Sequence, residues 1–172
     1  MTRRLILGFA LFGMLGVVGA DDKDAKDARF EKLKSLVGEW VKADKDGKPT
    51  NEVVSTFKLT GGGSALHETI FPGQPMEMVS VYTRDGADVI MTHYCMLGNQ
   101  PKMKVDAKSS DKELIFKFAG GSNLKPEKDM HMHEGSIKWI DDDTIEWSWQ
   151  GYMEGKPAEG HKVTEKLVRK KK

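Results

Sequence analysis

The feature that most constrains this chain is a two-residue alternation of apolar and polar side chains, recurring in ten short segments that are nearly all separated by turn residues. The segments are about 39–43, 51–60, 65–71, 75–83, 88–97, 102–107, 113–119, 130–140, 144–153 and 159–169. A period of two is that of a β-strand with one buried face. The separators include Asp46-Gly47-Lys48-Pro49, Gly61-Gly62-Gly63, Pro72-Gly73, Asp85-Gly86 and Asp141-Asp142-Asp143, all of which favour chain reversal. Short reversals join antiparallel neighbours, so the simplest topology is an up-and-down meander. Such a meander leaves two open edges unless it closes on itself, and open edges invite aggregation. The expectation is an all-β, about ten-stranded antiparallel barrel over 29–169, with an open sandwich as the alternative. The one longer connection, Gly120 to Asp129, is expected as a lid or rim loop.

The ends differ in character from this middle. Residues 1–20 carry Arg3 and Arg4, an apolar run from Leu5 to Val18, and the small residues Gly19 and Ala20 before Asp21. That pattern reads as a signal peptide and implies a secreted or periplasmic protein. The run is too short for a span of roughly 20 residues, so no membrane span is expected in the mature protein. A charged spacer, 21–28, is expected to be disordered. Phe30, Leu33, Leu36 and Val37 then recur at helical spacing, predicting a short helix that Gly38 ends. Residues 170–172 form a basic tail.

Without Arg3 and Arg4, 25 Lys+Arg stand against 26 Asp+Glu, which argues against a nucleic-acid partner. Cys95 is the single cysteine, so no internal disulfide holds the fold and stability must come from packing.

Alternation assigns the faces, because residues i and i+2 share a side. Val89, Met91, His93, Cys95 and Leu97 fall on one face, as do Ile137 and Trp139, with His131 and His133 carried inward by the same parity. Ile145, Trp147 and Trp149 follow in the next strand, and His161, Val163, Glu165 and Leu167 in the last. The expected lumen is aromatic and holds four of the five histidines. Met91, His93, Cys95, Trp139, Trp147 and Trp149 are therefore the expected ligand-lining residues for a small hydrophobic molecule. The alternatives are a metal or haem site built from His93, His131, His133 and His161, and a structural domain with a filled interior. No catalytic residues are assigned: Gly-x-Ser-x-Gly, His-Glu-x-x-His and a phosphate-cradling loop are all missing, and His93 and Cys95 stand about 6–7 Å apart along a strand.

The stretch Leu33-x-x-Leu36-x-Gly38-x-Trp40 resembles the opening of lipocalins and their calycin relatives. The resemblance implies that Trp40 plugs one barrel end beneath an arginine of the last strand, for which Arg169 is the matching residue, in a structural cation–π pair. Together with Thr92-His93-Tyr94-Cys95-Met96-Leu97-Gly98-Asn99-Gln100-Pro101 and Met130-His131-Met132-His133, it is similar to a family of uncharacterised exported bacterial proteins with lipocalin-like barrels. Nitrobindin-type haem barrels are a more distant likeness, which would give His161 the role of iron ligand.

Overall fold

The computed structural model describes residues 21–171; the expected signal peptide lies outside the described residues. Ten antiparallel strands follow one another around a closed barrel: β1 (Gly38–Ala43), β2 (Pro49–Thr60), β3 (Ala65–Ile70), β4 (Met78–Asp85), β5 (Asp88–Tyr94), β6 (Gln100–Val105), β7 (Glu113–Ser122), β8 (His131–Asp141), β9 (Thr144–Met153) and β10 (Lys156–Arg169). Closure is made by β1 on β10, where Trp40 pairs with Arg169 and Lys42 with Leu167. Every strand thus has two neighbours, and no open edge remains.

Helix α1 (Asp21–Lys34) precedes the barrel and takes in the charged stretch 21–28, expected to be a disordered spacer. Apolar periodicity is missing from that stretch, and helical backbone does not require it. The helix contributes Phe30 and Leu33 to the core, and Leu36 joins them from the following turn. Val37, expected on the same apolar face, is instead exposed, because the helix has already ended at Lys34.

In a meander the turns alternate between the two ends. Those after β2, β4, β6 and β8 share one end with α1, where Arg84 and Lys34 lie over the Phe30 ring and Lys32 over Trp139. Trp40 is wholly buried there, its indole N–H donating to the Leu36 carbonyl at 2.7 Å. Gly38 has φ +133°, and a Cβ on it would sit 3.2 Å from Nη1 of Arg169, so glycine serves both the turn and the close approach. The tail is partly tied to the same end, Lys170 pairing with Glu39 at 2.8 Å. The opposite end, with the turns after β1, β3, β5, β7 and β9, has no helix over it among the described residues.

Between the ends lies a core of Val54, Phe57, Leu66, Tyr82, Met103, Phe116, Ile137 and Ile145 among others. Tyr82 packs edge-on against Phe116 at 5.7 Å.

Candidate functional site

The helix-free end opens into a cavity of about 360 Å³. Five methionines line it, Met76, Met78, Met96, Met130 and Met132, with Trp147 and Trp149 from β9 forming part of the wall. Its polar groups are few: His93, His131, His161 and Cys95. Met76, Met96 and Leu97 are exposed, giving the rim an apolar lip. Asn99, buried behind that rim, donates to the Met130 carbonyl at 2.8 Å, and Asn123 donates to the Gly98 carbonyl. Through these two bonds the β5–β6 turn and the segment before β8 hold each other. The expected rim loop, Gly120 to Asp129, thus braces the rim turn through Asn123 without lining the cavity, and its first residues, Gly120 to Ser122, continue β7.

Below the mouth, sharing Met132, Trp147 and Trp149 as walls, is a void of about 10 Å³, the room of a single water molecule. Glu68, Ser80, Tyr82 and Met91 are among the residues that line it. Glu68 is fully buried and accepts from Ser55 Oγ and from Tyr82 Oη, each at 2.7 Å. Burial pushes its carboxyl up to about 7 against the opposing hydrogen bonds of Tyr82, Ser55 and Ser80. Burial also raises the Tyr82 phenol well above its ordinary value, helped by the neighbouring Glu68. Ser80 Oγ lies 3.0 Å from Nδ1 of His93, and burial drives that imidazole down to about 4, so His93 is neutral at pH 7.

Strand pairing explains why these groups meet. Glu68 stands directly across from Ser80 in the β3–β4 ladder, and Ser80 directly across from His93 in the β4–β5 ladder. Residues opposite each other project to the same side, so the three form one row across the inner wall. Parity alone announces this row, since Glu68 shares a face with Leu66 and Ile70. Of the three, only His93 is among the expected lumen residues; Glu68 and Ser80 are not.

The expected lumen residues divide. His93, Cys95, Trp147 and Trp149 line the mouth, and Met91 lines the inner void. Trp139 is buried but sits at the helix end beneath Lys32, away from the mouth. Leu97 is not on a strand at all: β5 ends at Tyr94, and the turn closed by Cys95 N–H on the Asn99 carbonyl turns Leu97 out to solvent.

The histidines divide as well. His131 and His161 reach the mouth and His133 does not. The register of β8 against β9 slips between Met132 and Glu134, so His133 is the extra residue of a β-bulge. Its ring stacks on Tyr152 at 3.8 Å and on Phe118 at 4.8 Å. His131 Nδ1 lies 2.8 Å from the Asp129 carbonyl and must donate to it, so in the neutral ring Nε2 accepts from Nδ1 of His133 at 2.9 Å. Burial, with His131 next, holds His133 below its ordinary value. The pair is thus hydrogen-bonded to itself, and among the described residues no group of three or more His, Cys, Asp or Glu is arranged to hold a metal ion.

No protein-family model and no curated protein matches this chain.

Proposed function

We propose that this is a small-molecule-binding protein whose ligand enters the helix-free end of the barrel and packs its apolar body against Trp147, Trp149 and the methionines. The observation that carries this reading is a cavity of about 360 Å³ whose lining is almost wholly apolar, with a few polar groups at defined positions. Volumes and linings of this kind are those of ligand pockets. Unbranched, polarisable methionine side chains adapt to ligands of differing shape. The exposed lip of Met76, Met96 and Leu97 gives an apolar entrance. Secretion to the periplasm or cell exterior is part of the same proposal and rests on the composition of residues 1–20.

The test is a titration of the purified protein with medium-chain fatty acids, quinones and haem, read by tryptophan emission; of the four tryptophans, Trp147 and Trp149 stand in the cavity wall. Saturable quenching by at least one class supports the reading. No response from any of them refutes it. A visible spectrum and elemental analysis of the same preparation separate an organic ligand from the metal or haem alternative.

A further inference from the structure

We propose that His131 and His133 form an acid-sensitive latch on the mouth: the pair keeps its hydrogen bond with one added proton, and a second proton breaks it and loosens the segment from Asn123 to Met130 at the rim. The inference goes beyond the ligand-binding reading, and its test needs no ligand.

Each bond of the neutral pair has one possible direction. The Asp129 carbonyl only accepts, so His131 Nδ1 at 2.8 Å carries the ring proton, and the bare Nε2 accepts from His133 Nδ1 at 2.9 Å. A first added proton finds His133 Nε2 free and leaves both bonds in place. A second has only His131 Nε2 left. Two N–H groups on two cations would then face each other across 2.9 Å, so the rings must part.

The surroundings set that order. His133 lies against the faces of Tyr152 and Phe118, which accommodate a cation, and the adjoining Glu134 carboxylate is held by Lys117 and the Tyr152 hydroxyl. His131 is buried and lines a wall of methionine and tryptophan. The other titratable side chains lining that cavity are His93, Cys95 and His161, and no carboxylate lines it to offset a charge. The nearby Asp129 carboxylate is taken up by the Lys125 N–H at 2.7 Å.

What the pair holds is the rim. The Asp129 carbonyl accepts from His131, the Met130 carbonyl from Asn99 of the β5–β6 turn, and the Lys128 carbonyl from the Glu154 N–H beyond β9. His131 cannot swing away from His133 without pulling on Asp129, so the second proton acts on the segment where it meets the mouth.

Two measurements test it. Nitrogen-15 NMR of the two rings between pH 8 and 4.5 is expected to show His131 protonated at Nδ1 alone at pH 8, then two separate steps with His133 first. Hydrogen exchange of the Asp129 and Glu154 amides, corrected for the intrinsic pH dependence, is expected to accelerate at least tenfold across the second step and not the first. His133→Phe keeps a ring between Tyr152 and Phe118 and removes the facing N–H, so it is expected to abolish that acceleration. His131 protonated at Nε2 at pH 8, rings that titrate together at one midpoint, or exchange that stays level through the second step or accelerates equally in the variant would each overturn the inference.

Discussion

The Arg169 guanidinium lies over the Trp40 ring at 4.4 Å, and the two residues are also partners in the ladder that closes the barrel. The same side chain donates to the carbonyls of Ser35 and Val37 at 2.8 Å and pairs with Asp143 at 3.0 Å. One residue of the last strand therefore joins the carbonyls that follow α1, the first strand and the β8–β9 turn. A planar guanidinium with five donors can make such a junction, and lysine cannot.

Arg169→Lys is accordingly expected to cost about 1–3 kcal/mol, since it gives up most of these bonds at a partly buried site. Lys171→Ala is the control. Lys171 is highly exposed and reaches Asp143 only at 3.7 Å, so its loss should change stability by less than about 0.5 kcal/mol. Urea unfolding of both variants at one pH checks the contrast.

Glu68 and His93 impose opposite pH slopes on stability. Glu68 has a folded value raised to about 7, so its contribution is full below the ordinary carboxylate range near 4.5 and is lost as pH rises through 7. His93 has a folded value lowered to about 4, so its contribution is full above 6.5 and is lost as pH falls through 4. Each contribution amounts in total to about 3 kcal/mol. Over pH 4.5–6.5 they nearly cancel, and the stability of the unmodified protein is expected to be almost level there. Glu68→Gln should expose a curve that climbs from pH 4 to 6.5, and His93→Gln one that declines from 4.5 to 7. Denaturation midpoints measured every half pH unit would read both curves.

Tyr82→Phe removes the phenol that donates to Glu68 Oε2 at 2.7 Å. The ionised carboxylate needs that donor more than the protonated acid does, so the loss should raise the Glu68 value further. The variant is expected to cost about 1–3 kcal/mol at pH 8 and clearly less at pH 5. The difference between denaturation curves at the two pH values is the check, and an equal cost at both would remove Tyr82 from the charge balance of the interior.

The strand plan was legible because each reversal carries its own chemistry. Glycine or aspartate stands in nearly every turn, and Leu114, Phe116, Ile145 and Trp147 keep strict parity between turns. Parity fails where a strand takes in an extra residue, and nothing in Met132-His133-Glu134 announces the bulge that moves His133 away from the mouth. Alternation also cannot tell one barrel end from the other. Trp139 and Trp149 share the inner wall, yet only Trp149 lines the mouth, because the packing of α1 decides which end is covered. Glu68 was readable from its place between Leu66 and Ile70. A charged residue on an apolar face is a stronger sign of a polar interior than a histidine pair, and in this barrel it marks the inner row.

The most direct test of the account is binding of the fluorescent probe N-phenyl-1-naphthylamine to the unmodified protein and to Cys95→Trp. Cys95 lies in a turn at the rim and lines the cavity, so an indole at this position fills the mouth while leaving the strands in place. The expected result is saturable one-to-one binding that weakens at least tenfold in the variant, with no fall in its denaturation midpoint. Probe binding that is absent from the unmodified protein, or that persists unchanged when the mouth is filled, would contradict the account.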